Sequence, residues 1–181
     1  IYLFGAMLEE LSYATSYIPT LSGAIQTRAA ESCFGAGTSS TFNSEEGVLY
    51  AEISALANDS TNRVITISDG STSNRVQVYF NSSNGITGGI IVGGSGQAAI
   101  SYTINIESYL KLAFKYKLND FALWVNGIEV GVDTVGSIPT GLNIIDFDNG
   151  AGGSNFYGNT KDIRVFNEAL TDAQLQTLTT L

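Results

Sequence analysis

The chain contains no histidine in 181 residues. That absence excludes Ser-His-Asp and Cys-His mechanisms, histidine-bearing zinc sites and the usual general base near neutral pH. Cysteine is nearly absent as well, with Cys33 its single instance. No intrachain disulfide or thiolate cluster can form, so stability must come from packing. Cys33 has no basic partner to activate it and reads as an inert thiol. Cations are scarce: eight Lys and Arg stand against seventeen Asp and Glu, a net charge of -9. A chain this acidic repels phosphate backbones and anionic membranes, which argues against nucleic-acid binding. No apolar run approaches the roughly 20 residues of a membrane helix, so membrane insertion is not expected.

Small and hydroxyl residues fill the gap. Twenty Gly, nineteen Ser, seventeen Thr and fourteen Asn occur, while charged residues make up only 14%. This mix suits strands joined by many turns rather than a helical bundle. The length supports one substantial core. The chain opens IYLFGAMLEE, with no initiator Met and no signal peptide. We therefore expect a piece of a longer polypeptide.

Residues 1–37 differ from the rest. Ile1 to Leu8 reads as one strand, followed by an extended connector containing Pro19. The expectation is a terminal strand of a preceding β-sandwich plus a linker over 1–37, then one domain over 38–181. In that domain strand signals are dense: 47–56, two strands around a Gly/Ser/Asn turn in 63–80, then 86–94 and 98–106. Residues 109–118 alternate nearly strictly. Leu110, Leu112, Phe114, Tyr116 and Leu118 point one way, and Lys111, Lys115 and Lys117 point the other as a solvent-side stripe. FALWVNGIEVGV (121–132) holds a hairpin signal, because Asn126-Gly127 is the preferred pair for two positive-φ positions. Strands at 142–148 and 162–167 complete the series. Thr171 with Gln174 forms a capping box, and Leu170 with Leu175 a hydrophobic staple, for a helix over about 172–178. The pattern predicts an all-β fold: an antiparallel two-sheet jelly-roll sandwich with one short C-terminal helix.

Three stretches carry a resemblance. GVLYAEISAL, FALWVNGIEVG and FYGNTKDIRVFNEALTDAQL are similar to the opening strand, central hairpin and closing motif of LamG-like, concanavalin A-like lectin/glucanase jelly rolls. Gly158, Asp162, Arg164, Val165, Phe166, Leu170, Thr171 and Leu175 fall on the closing motif. The stretch IYLFGAMLEELSYATSYIPTLSGAIQTRAAE resembles the exit from a β-sandwich in bacteriophage tail-fibre and other virion structural proteins. It departs from that pattern at Met7 and Glu31. Together the two resemblances imply a virion-surface, extracellular module. Its partners would be a host-surface glycan and other virion proteins, and a homotrimer is what such fibres imply.

A hydrolase lacking histidine needs paired carboxylates, about 5 to 9.5 Å apart. The Glu-x-Asp-x-x-Glu strand motif of laminarinase-type enzymes on this fold is absent, so no catalytic residue is assigned. Asp146 and Asp148 share a strand face and lead into Asn149 and a glycine-rich loop. These are hard oxygen donors of the type calcium takes, and LamG-like modules often hold calcium at the loop rim. Lys161 replaces a frequent Asp of the closing motif. The bland alternative is a solvated turn. Trp124 lies opposite Leu123 and Val125 on its strand. It is a candidate for stacking on a sugar or, equally, for covering the sheet or meeting a neighbouring subunit. Tyr79, Arg75 and Gln77 occupy the non-core face of their strand, and Asn155 lies in the loop over 149–155. These five residues are the candidate carbohydrate-binding set. The expected function is non-catalytic host-receptor adhesion. The alternatives are a structural or decoration module and a polysaccharide-degrading enzyme or its accessory domain.

Overall fold

The structure, a computed structural model, describes residues 36–181. The terminal strand and most of the connector expected over 1–37, and Cys33 with them, lie outside the described residues. Ala36 forms a single antiparallel bridge to Ile145. Ten strands and one helix follow: β1 (Glu46–Ala55), β2 (Arg63–Ser68), β3 (Arg75–Phe80), β4 (Gly85–Val92), β5 (Ser95–Thr103), β6 (Leu110–Lys117), β7 (Asp120–Val125), β8 (Ile128–Asp133), β9 (Ile144–Asp146), β10 (Gly158–Phe166) and α1 (Asp172–Thr179). They form two five-stranded sheets, ordered β10-β1-β6-β7-β8 and β5-β4-β3-β2-β9. The pairings within them are antiparallel. This is the two-sheet sandwich the strand pattern predicts.

The core lies between the sheets because apolar residues recur at every second position. Leu110, Leu112, Phe114 and Tyr116 of β6 enter it, facing Val76, Val78 and Phe80 of β3 and Ile86 and Ile90 of β4. The sheets approach closely where Gly88 of β4 meets Phe114; a Cβ there would overlap the ring. Tyr116 is fully buried, and its hydroxyl donates to the carbonyl of Asn43 at 2.7 Å. Burial pushes this phenol far above its ordinary pKa, so it stays neutral.

Local signals place the turns. Asn126 and Gly127 take φ of 50° and 82°, the two left-handed positions of the β7–β8 turn. Two predicted strands begin early. β5 starts at Ser95 rather than 98, and β10 at Gly158 rather than 162. Their first residues are Gly, Ser, Asn and Thr, which carry little strand signal but pair in register with Val92 and with Ala55 to Ile53.

The lysine stripe is the larger correction. The outer face of the β10-β1-β6-β7-β8 sheet holds a second apolar cluster of Val48, Tyr50, Ala113, Ala122 and Trp124, roofed by Leu170 and Leu175. Lys115 is buried beside it and pairs with Asp120 at 2.7 Å. Helix α1 is fixed by its capping box: the Thr171 hydroxyl accepts from Gln174 N, and Gln174 Oε1 accepts from Thr171 N at 2.9 Å. At its other end Lys111 Nζ donates to Thr180 O at 2.8 Å, and Gly127 N donates to Thr179 Oγ1 at 3.1 Å.

Trp124 is the chain's single tryptophan, so its fluorescence reports the seating of α1. Leu175→Ala should destabilise the domain by about 2–5 kcal/mol in urea titrations. The same substitution should shift the native tryptophan emission to the red. An unchanged spectrum and an unchanged midpoint would contradict this packing.

Candidate functional site

Covering one outer face leaves the other. On β3, Val76, Val78 and Phe80 are core residues, so Arg75, Gln77 and Tyr79 project from the opposite side of the β5-β4-β3-β2-β9 sheet. The registers build rows across this outer face. One row runs Asp146, Thr66, Gln77, Gly89, Ala99; a second runs Ile144, Ser68, Arg75, Ile91; a third runs Val64, Tyr79, Thr87, Ser101. The face is polar where the core side is apolar. In these rows Gln77 is 9% exposed, Tyr79 half-buried and Ala99 exposed.

Hydrogen bonds make the surface rigid. Thr87 Oγ1 lies 2.9 Å from Asn81 Nδ2, which donates to it, and 2.8 Å from Ser101 Oγ. Thr66 Oγ1 donates to the carbonyl of Asp148 at 2.9 Å, and Val64 N donates to Ser154 O at 3.0 Å. The glycine-rich segment 148–155 therefore lies along β2 as one wall of the face. Gly150, at φ 84°, is forced there: a Cβ would stand 2.8 Å from Ser71 O. Arg75 reaches across β2 to the same wall and donates from Nη1 to Asn149 O at 2.6 Å. Burial pulls its guanidinium below the usual arginine pKa, and Tyr79 opposes that shift.

The structure thus brings Arg75, Gln77 and Tyr79 to one face and sets Asp146, Asp148 and Asn149 along its edge. Asn155 is exposed one residue beyond the Ser154 contact, where its Nδ2 lies 3.4 Å from the Tyr157 hydroxyl. Trp124 is the correction. It sits on the other sheet, 7% exposed beneath α1, and its Nε1 is buried without an acceptor. Strand alternation puts Trp124 on an outer face, but the helix closes that face, so the ring covers the sheet rather than meeting a sugar. Thr66 and Thr87, both buried, with Asn81 and Ser101, belong to this face and were not singled out in the sequence. Thr87 and Gly89 at period two, opposite Ile86 and Ile90, were the signal for it.

Asp148 and Asn149 of the calcium set take part in the loop's own hydrogen bonds. Asp148 is 3% exposed, and its Oδ1 accepts from Gly150 N at 2.6 Å. Asn149 Oδ1 accepts from Ala151 N and Gly153 N at 3.1 and 3.0 Å, while its carbonyl takes the Arg75 guanidinium. Asp146 is not free either. Among the described residues no three Asp, Glu, His or Cys side chains converge. Calcium asks for six to eight oxygens, and here the oxygens of Asn149 organise the loop instead.

A model of the Laminin_G_3 family, described as the concanavalin A-like lectin/glucanases superfamily, matches residues 38–176. The chain belongs to this superfamily. No curated protein matches it in sequence. Solved structures share the superfamily fold at low identity. A sialidase CBM40 module of Ruminococcus gnavus, bound to α2,3-sialyllactose, aligns with TM-score 0.63 and 14% identity, over 84% of this chain and 97% of that one. A heptameric SAP-like pentraxin from Limulus polyphemus gives 0.59 and 17%, over 80% and 73%. Domain 4 of an extracellular arabinanase from Geobacillus stearothermophilus, in complex with arabinotriose, gives 0.61 and 14%, over 76% and 68%. At these identities the likeness is one of fold. It sets the two-sheet architecture of this superfamily member beside theirs and leaves the face to be argued from its own residues.

If Asn149 organises the loop, the domain needs no calcium. Thermal unfolding should show the same Tm in millimolar calcium and in EDTA. A rise in Tm with calcium that EDTA reverses would restore the metal site.

Proposed function

We propose that this domain is a non-catalytic carbohydrate-binding module whose ligand lies on the outer face of the β5-β4-β3-β2-β9 sheet. The observation that carries the reading is the asymmetry of the sandwich. One outer face is roofed by a helix, and the other carries hydrogen-bonded polar side chains in register, with Arg75 and Tyr79 half-buried and Gln77 9% exposed between them. An aromatic ring beside amide, hydroxyl and guanidinium donors suits a sugar, which offers C–H faces and hydroxyls together. The sialidase module and the arabinanase domain, solved with sialyllactose and arabinotriose, lend support from the same fold.

The biological setting is part of the same proposal. The resemblance of residues 1–31 to phage tail-fibre and virion proteins supports a host-receptor adhesin at a virion surface, extracellular and in the company of other virion proteins. Homotrimerisation follows from that setting rather than from any contact described above. A spacing or decoration role is the second reading. It is favoured by the β8 edge, where Ile128, Val132 and nearby Val135 are exposed apolar residues suited to protein contact. The enzyme alternative has no such observation. The two carboxylates sharing the face, Asp146 and Asp148, are both engaged.

A glycan array screened with the full chain tests the reading, followed by calorimetry on each hit. Tyr79→Ala should weaken binding by roughly three- to tenfold, the worth of one aromatic contact of about 0.5–1.5 kcal/mol. Absence of binding to any glycan, or binding indifferent to Tyr79, would count against it. Release of new reducing ends from a bound polysaccharide would overturn the non-catalytic assignment.

A further inference from the structure

Seven Lys and Arg side chains lie in the described region, and five of them are held in ion pairs. These pairs are Arg63–Asp59, Lys115–Asp120, Lys117–Glu46, Lys161–Glu52 and Arg164–Asp162. Lys111, on the other sheet, gives its ammonium to the carbonyl of Thr180, the C-cap of α1. Arg75 stands apart. Among the described residues no carboxylate lies within ion-pairing distance of it. Among the described residues its one hydrogen bond is from Nη1 to Asn149 O, and its Nε is enclosed without an acceptor. It is also the cation of this outer face, half-buried and seated on the central strand β3.

A partly desolvated guanidinium with an idle donor is an unfavourable arrangement in the free protein. Oxyanions that present two oxygens side by side remove that penalty best, because they match the guanidinium fork and bring the compensating charge. Across β4 the residue in register with Arg75 is the half-buried Ile91, and the next position on β5 is the exposed Gly96. The charge balance limits the anion's size. Asp146 and Asp148 border the same face, and the chain carries -9 overall, so a polyanion is repelled.

We propose that the glycan bound on this face carries a single anionic substituent, a carboxylate or a sulfate, and that Arg75 is the residue that selects it. This rests on the glycan-binding reading above.

The test compares charged sugars with their neutral partners on the full chain by calorimetry: 3′-sialyllactose and 3′-sulfolactose each against lactose, and galacturonic acid against its methyl ester. At least one charged probe should bind about tenfold or more tighter than its partner. The sialyl and galacturonate arms mark a carboxylate, and the sulfo arm a sulfate. Arg75→Gln should bring the charged probe to within about twofold of the neutral one, so that the preference is lost whatever the change in neutral binding. Arg75→Lys keeps the charge and serves as the folding control; it should recover only part of the preference. Equal binding of charged and neutral sugars by the unaltered protein would overturn the inference while leaving the glycan reading intact. So would a preference that survives Arg75→Gln. Failure to bind any sugar would overturn both.

Discussion

A sandwich of two sheets has two outer faces, and what covers each one decides what the molecule can touch. Here Leu170 and Leu175 seat α1 on Trp124, Tyr50 and Val48, and the domain's other assignments depend on that contact. It removes the largest aromatic side chain from the surface and buries Lys115 in an ion pair. It also ties the chain's C-terminal turn to the β7–β8 hairpin through Gly127 and Lys111. The capping box at Thr171 makes the seat possible. A helix of eight residues is marginal alone, and it persists because its ends and one apolar face are fixed.

With one face closed, the polar groups of the other acquire their meaning. An outer sheet face needs no Thr, Gln, Tyr and Arg in register to fold; any soluble residues would serve. Instead Thr87 is locked to Asn81 and Ser101, Thr66 is locked to Asp148, and Arg75 holds the loop wall. Side chains fixed before a ligand arrives lose less entropy on binding, which is how a shallow surface gains affinity. The glycine-rich segment 148–155 belongs to that framework. Its glycine at 150 lets the wall lie against β2 without a clash.

Much of the fold is legible locally. Alternation over 110–116, the Asn126-Gly127 pair and the Thr171–Gln174 box are signals within a few residues of one another, and each forms as expected. The placement of Arg75, Gln77 and Tyr79 off the core follows from period two alone. What is not legible is which outer face the helix covers, because that depends on where a distant segment docks. Trp124 and Tyr79 look alike in the sequence, both aromatic and both opposite core residues, yet Trp124 is buried under α1 and Tyr79 is half-buried on the other sheet. Asn149 misleads for the same reason. Its partner Arg75 is 74 residues away, and only that contact shows its carbonyl oxygen to be taken.

The central claim is that the open face of the β5-β4-β3-β2-β9 sheet is where a glycan binds. The most direct measurement is nitrogen–proton NMR mapping of the isotopically labelled chain, titrated with a glycan that it binds. Shifts confined to Arg75, Gln77, Tyr79, Thr87 and the 148–155 segment, with Trp124 and α1 silent, are the result this account predicts. Shifts centred on Trp124 and α1, or along the β8 edge at Ile128 and Val132, would contradict it.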